Sequence, residues 1–202
     1  MTFPDAIFLN GCSCAGKTSI ARGLQERLDE PWLRFGTDDF AALAPPRWIG
    51  RPEGFQMVPQ PNGDVPVILG EGGLALERAF HAAARGVIDS GLKVIIDDVL
   101  LDPRLLPDWR CALAGLDVFF VGVVCSLEEL ERREAARPER AKGHTRTTLA
   151  TVHAHGGYDL TVDTTATPTD ACVEAIAAAI QDDSARTAFV GVGRSASSAG
   201  GP

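Results

Sequence analysis

The stretch "FLNGCSCAGKTS", residues 8–19, constrains this chain more than any other. Gly11, Gly16, Lys17 and Thr18 satisfy G-x-x-x-x-G-K-[ST]. The run lies between a short apolar segment, "AIFLN" (6–10), and a segment in which Ile20, Leu24 and Leu28 recur every four residues. A continuous apolar run predicts a buried strand, and the four-residue recurrence predicts an amphipathic helix. A glycine-bounded turn between them aims backbone N–H groups inward, where the positive end of the helix also points, and so makes an anion cradle. In this pattern Gly11, Cys12, Ser13, Cys14, Ala15 and Gly16 line a nucleotide's phosphates. Lys17 reaches the β and γ phosphates, and the Thr18 hydroxyl ligates a divalent cation. ATP and Mg²⁺ are therefore the expected cofactors.

Cys12 and Cys14 do not turn this loop into a metal site, because two ligands are too few for structural zinc. No cysteine is followed by Arg six positions later, which removes a thiol-phosphatase loop. Five cysteines, an odd number without framework spacing, point to reduced thiols in a reducing compartment. Oxidation of Cys12 or Cys14, favoured by a helix N-terminus that lowers thiol pKa, is the remaining thiol role.

Beyond the cradle, "WLRFG" (32–36), "LKVIIDD" (92–98), "DVFFVGVVC" (117–125) and "YDLTVD" (158–163) are predicted strands. Helical patterns fall near 74–89, 104–114, 127–137, 144–154 and 168–181. Apolar strands alternating with helices predict an α/β fold, a parallel sheet covered on both faces. Residues 45–73 break the alternation with many Pro and Gly. There, Asn62-Gly63 between "FQMV" and "VPVIL" is a two-residue hairpin signal. Trp48, Phe55 and Met57 give this excursion apolar surface outside the sheet, suited to covering a substrate. After Gln181 the chain turns small and polar and is expected to be a flexible tail, so residues 1–181 form a single domain. A formal charge of -8 disfavours a nucleic-acid partner. The first residues carry neither a basic n-region nor an apolar run long enough for a signal or a membrane span, so a cytoplasmic protein is expected. No heptad or unexplained apolar stripe indicates an oligomeric state.

Three further elements carry chemistry. "VIIDD" ends a strand in Asp97 and Asp98; Asp97 is the better ligand for Mg²⁺ by strand continuity, and Asp98 is expected to orient other groups toward the substrate. "FGTDDF" supplies Asp38 and Asp39 just after the second strand, where a carboxylate can accept the proton of an acceptor hydroxyl or cap a helix. "ERREAARPERAKG" supplies Arg132, Arg133, Arg137, Arg140 and Lys142, and Pro138 breaks the helix among them, which predicts a basic lid over residues 132–143. The turn "VDTTATPT", with Thr164 and Thr165, borders the adenine or caps the last helix. With no D-x-x-G and no N-K-x-D, the elements that read guanine are missing, and a small kinase fits the length better than a GTPase switch.

Several separated stretches resemble the chloramphenicol phosphotransferase family: "LNG" with "AGKT", "EPWLRFGTDDF", "VIIDDVLL", "LDVFFVGVVC", "ARPERAKG" and "VHAHGGYDLTVDTT", together with the hairpin excursion. They span nearly the whole chain from about residue 6 to 180. The resemblance implies a five-stranded parallel sheet of the nucleoside monophosphate kinase type, in order 2-3-1-4-5, and ATP-dependent phosphorylation of a primary hydroxyl on a small molecule. It puts Asp38 on the family's catalytic base, Lys17 and Thr18 on the cradle, and Arg137 and Arg140 on the lid. The chain departs from the family where Cys12 and Cys14 replace small residues such as Gly and Ser, and in the detail of the excursion. Chloramphenicol is the first acceptor implied. A metabolite acceptor and a nucleotide-binding regulatory role are the alternatives. An anionic metabolite is disfavoured because the excursion holds only Arg47 and Arg51 as cations.

Overall fold

The computed structural model describes residues 3–137, 142–182 and 186–189. Five strands form one parallel sheet: β1 (Ala6–Gly11), β2 (Trp32–Gly36), β5 (Lys93–Asp98), β6 (Val118–Val124) and β7 (Leu160–Asp163), in the order β2-β5-β1-β6-β7. Counted over the sheet alone this is 2-3-1-4-5, as expected. β1 lies at the centre with every residue buried, which is why "AIFLNG" shows no polar alternation.

Alternate residues of the strands feed two cores. Ile7, Leu9, Ile95, Val121 and Val123 meet α1 (Lys17–Arg27) and α7 (Thr169–Ala179). Phe8, Val94, Ile96 and Phe120 meet α3 (Glu71–Asp89) and α4 (Leu105–Ala112). In the second core Phe8 touches Trp109 and Phe120 edge-on, with ring centroids 5.2 and 5.4 Å apart. The two-residue period has a consequence for the site. Asp97 follows Ile95 onto the α1 face, and Asp98 follows Ile96 onto the α3 and α4 face.

α2 (Thr37–Ala41) is a single short turn of helix directly after β2. β3 (Phe55–Met57) and β4 (Val67–Leu69) pair antiparallel in the excursion, after a 3-10 turn at Pro46–Trp48. The hairpin differs from the two-residue turn expected at Asn62-Gly63. Gly63 N donates to Gln60 O and Gln60 N to Asp64 O, so Pro61 and Asn62 are the central residues and Gly63, at φ +86°, closes a three-residue loop. α5 (Leu127–Ala135) starts at an N-cap, Ser126 Oγ accepting from Glu129 N at 3.3 Å. α6 is His144–Val152.

Two boundaries need correcting. α3 begins at Glu71 rather than near residue 74, because Gly72 and Gly73 continue the helix where Trp48 and Gly54 press against it. A Cβ on Gly72 would meet the Trp48 ring at 2.8 Å, and one on Gly73 would meet Gly54 O at 2.6 Å. The flexible tail expected after Gln181 fails at Arg186–Phe189. Phe189 is buried with its ring 5.5 Å from those of Phe8 and Phe120, Arg110 Nε donates to its carbonyl, and the N–H groups of Thr187 and Ala188 both donate to Asp159 at 2.9 Å. One aromatic anchor outweighs the polar composition around it.

Candidate active site

The cradle follows from its glycines. A Cβ on Gly11 would lie 2.3 Å from Val123 O, so only glycine lets β1 leave the sheet beside β6. Gly16 takes φ +94° and Cys14 φ +65°, left-handed turns that curl the loop ahead of α1. Lys17 Nζ folds over the loop, donating to Gly11 O at 2.9 Å and Cys12 O at 3.1 Å, and lies 4.0 Å from Asp97. Thr18 Oγ1 donates to Asp97 Oδ2 at 2.6 Å. An alcohol and a carboxylate meeting at the first turn of the helix form the oxygen pair expected for a hard divalent cation.

Cys12 is not the reactive thiol that its position suggested. Its Sγ donates to Thr145 O at 3.1 Å, and burial pushes its pKa up to about 12, a larger effect than the nearby Lys17 exerts in the other direction. The buried site withholds the solvation a thiolate needs. Ser13, Cys14 and Ala15 line the loop with side chains buried or nearly so, which leaves their backbone as the binding surface.

Asp98 departs from the expected substrate contact. It is 1% exposed, accepts Trp109 Nε1 at 2.6 Å and Val99 N at 2.7 Å, and presents no solvent-facing surface to an acceptor substrate. Its neighbour across the core is Glu77, whose carboxyl is raised to about 8 by burial and then by the charge of Asp98. Asp98 is shifted upward as well, by burial first, against the hydrogen bond from Trp109.

β2 and β5 pair Gly36 with Asp97, which sets the first turn of α2 beside Thr18 and Asp97. Asp38 and Asp39 are both exposed there. Asp39 is engaged by Arg34 Nη2 at 2.7 Å, and Arg34 Nη1 lies 3.8 Å from Asp97. Of the apolar residues expected to cover a substrate, Met57 is 52% exposed, whereas Trp48 and Phe55 are only half-exposed. Trp48 packs on Gly54 and Gly72, and Phe55 on the α3 and α4 core. Leu43, Ile49 and Ile68, not singled out by the sequence pattern, add exposed apolar surface on the same α2 and hairpin region.

The arginines also sort differently from expectation. Arg137 is exposed at the end of α5, and Arg140 lies outside the described residues. Arg133 is the one that reaches the cradle among the described lid residues. Its guanidinium donates to Thr164 O at 2.6 Å and Cys14 O at 3.3 Å, and Glu129 holds it at 2.7 Å. Thr164 is buried here and donates to Ala15 O at 2.8 Å, while Thr165 Oγ1 accepts from Ser126 N. The 164–165 turn therefore braces the cradle.

Glu134 fixes the far end of the lid. Its two oxygens accept Gly143 N at 2.8 Å and Thr145 N at 2.9 Å, capping α6 from the last turn of α5. The hairpin tip reaches the same point, Val65 N donating to Gly143 O and Thr147 Oγ1. Lid stem and excursion are thus one connected wall. Behind β1, Asn10 Nδ2 donates to Val152 O and Tyr158 Oη at 2.8 Å, and Tyr158 Oη lies 2.5 Å from His153 Nδ1, tying the end of α6 to the strand that launches the cradle.

A sequence model of chloramphenicol phosphotransferase-like proteins matches residues 4–181. The chain belongs to this family. It is a phosphotransferase on that footing. Proteins from two strains of Mycobacterium tuberculosis, CDC 1551 / Oshkosh and H37Rv, each named as a presumptive O-phosphotransferase, are 37% identical over 170 residues, covering 80% of this chain and 76% of theirs. Among solved structures, a sugar kinase from Janibacter sp. HTCC2649 superposes with a TM-score of 0.66 at 18% identity over 87% of this chain and 94% of its own. The Mycobacterium tuberculosis APS kinase solved with AMPPNP and APS superposes with a TM-score of 0.64 at 14% identity, covering 90% of this chain and all of its own. These likenesses establish for the family member described here the fold of the P-loop kinases. No helix among its described residues is long and apolar enough to cross a membrane.

Proposed function

We propose that this chain transfers the γ-phosphoryl group of ATP to a primary hydroxyl of a small, largely apolar molecule, with chloramphenicol the leading acceptor. The observation that carries the reading is the convergence of the Lys17 cradle, the Thr18 and Asp97 oxygen pair and the exposed Asp38 at the C-terminal ends of three adjacent strands. Thr18 and Asp97 fit Mg²⁺, which when bound supplies charge neutralisation at the phosphates. Lys17, held by two loop carbonyls, is placed to exchange them for phosphate oxygens.

Asp38 takes the hydroxyl proton as the acceptor oxygen attacks phosphorus in line; the new O–P bond forms as the bond to the β-phosphate oxygen breaks. Asp39 is turned to Arg34, which lies between it and Asp97, and the match of "FGTDDF" to the family motif puts the base on Asp38. Leu43, Ile49, Met57 and Ile68 suit a neutral, apolar acceptor better than an anionic metabolite. Arg137 and Arg140 remain the cations proposed to close over the transferring group, and Arg133 the one that steadies the nucleotide end. A coupled ADP-release assay with chloramphenicol tests the reading. Turnover is expected, and an absence of ADP release with chloramphenicol alongside turnover of a charged acceptor would reject the apolar assignment.

A further inference from the structure

We propose that Glu77, His81 and Asp98 form a second, structural binding site for a borderline transition-metal dication such as Zn²⁺, apart from the Mg²⁺ pair at the cradle. Glu77 and His81 stand one helical turn apart on α3, and Asp98 faces them from the end of β5; one ligand atom from each lies within 4.8 Å of the others. One ligand atom on each of two residues lacks a hydrogen-bond partner. His81 is 2% exposed with Nε2 buried and unpartnered, and Glu77 Oε2 is buried and unpartnered. A buried polar atom left without a partner is costly, so two on one three-residue cluster call for a common partner.

The surroundings are those of a metal site rather than of an accidental acidic patch. Asp98 is held by Trp109 Nε1 at 2.6 Å and Val99 N at 2.7 Å, donors that fix the carboxylate while leaving lone pairs available. Thr37 hydrogen-bonds Glu77 in the same way. The His81 ring lies against Trp109, centroids 3.9 Å apart, and burial keeps it in the neutral form that ligates metal, its pKa lowered to about 4. One nitrogen and two carboxylates suit Zn²⁺, Co²⁺ or Mn²⁺ better than the all-oxygen preference of Mg²⁺. A groove of about 510 Å³ between α3 and α4, lined by His81 with Arg78, Arg85 and Asp108, borders the cluster on its His81 side. Bound there, the ion joins α3 to β5 and, through Glu77 and Thr37, to the turn that carries Asp38.

The test uses the untagged full chain, stripped with chelator and kept free of nucleotide and Mg²⁺. Titration with Co²⁺ is expected to give a visible d–d absorption saturating at one equivalent per chain, displaced by Zn²⁺. Glu77→Gln and His81→Gln are each expected to weaken binding by at least about tenfold, while Thr18→Ala, which alters only the cradle pair, retains it. Circular dichroism checks that each variant folds. On the unmodified chain, a long-range proton–nitrogen spectrum should show Zn²⁺ moving the ring-nitrogen resonances of His81. No absorption band with the wild type, unchanged affinity in either folded variant, or Zn²⁺ shifts confined to other histidines would overturn the assignment.

Discussion

Glu134→Ala should be among the most damaging single truncations outside the strands, and its cost follows from two hydrogen bonds. The carboxylate is buried and accepts Gly143 N at 2.8 Å and Thr145 N at 2.9 Å at the start of α6, with Thr145 fully buried. A hydrogen bond to a charged group contributes about 1.5–3 kcal/mol. Losing two, while orphaning two N–H groups at a helix N-terminus, costs roughly 3 kcal/mol or more, offset in part because no carboxylate then has to be buried. At about 2–4 °C per kcal/mol for a chain of this size, the unfolding midpoint should fall by roughly 6–12 °C. Glu134→Gln keeps one acceptor oxygen but turns an amide N–H toward a backbone N–H, so it should fall between the wild type and the alanine variant. Urea titration measures the free energies and a thermal scan the midpoints. Because Glu134 also anchors the lid stem, the ATP KM of the alanine variant should rise at a temperature where it is still folded. A loss under about 0.5 kcal/mol for Glu134→Ala, the range of ordinary surface changes, would refute the clamp.

Asp38→Asn should lower kcat by about 10²–10⁴ with little change in the ATP KM, the size of a lost general base, whereas Asp39→Asn should fall short of that; steady-state kinetics of the two decide which carboxylate serves. Arg133→Met should raise the ATP KM by roughly tenfold, about 1.4 kcal/mol, a figure discounted because the side chain is partly solvent-exposed, and nucleotide titration reads it directly. Ile68→Asp and Met57→Asp should weaken binding of an apolar acceptor while leaving ATP binding alone, as calorimetry with each ligand would reveal. For Cys12 the folded pKa, about 12, lies above the unfolded value, so the buried thiol contributes stability that is complete below about pH 9 and is lost as pH rises toward 12. Correspondingly, iodoacetamide at pH 8 should label the exposed Cys111 and spare Cys12, and peptide mass spectrometry shows which is modified.

The fold was legible where local pattern and burial agree. The three central strands are apolar runs buried on both faces, the edge strands β2 and β7 are partly exposed, and the positions of all five differ from the sequence expectation by no more than two residues at either end. The start of α3 was hidden because glycines normally interrupt a helix, whereas Gly72 and Gly73 are there to let Trp48 and Gly54 approach. The cradle loop and the meeting of Thr18 with Asp97 were readable because they are carried by backbone shape and one strand end. The arginines were not, since a charge run does not show which member faces inward. Helix phase decides that, and the four-residue spacing from Glu129 to Arg133 was the available signal. Arg34 was missed inside an apolar strand, where a lone cation beside Trp32 and Gly36 was the only mark of its role. The same four-residue spacing relates Glu77 to His81 on the buried side of α3, and Asp98 joins them only through the sheet's alternation.

On the proposed function, Asp38 and the cradle together move a phosphoryl group onto a primary hydroxyl of an apolar acceptor. Phosphorus NMR of a reaction containing the purified chain, ATP, Mg²⁺ and chloramphenicol tests it most directly. A new phosphomonoester resonance, coupled to the methylene protons of the primary alcohol, is expected to grow as the γ-phosphate signal declines and to be absent with Asp38→Asn. ATP hydrolysed to ADP and free phosphate alone, or an ester formed equally well by Asp38→Asn, would contradict it.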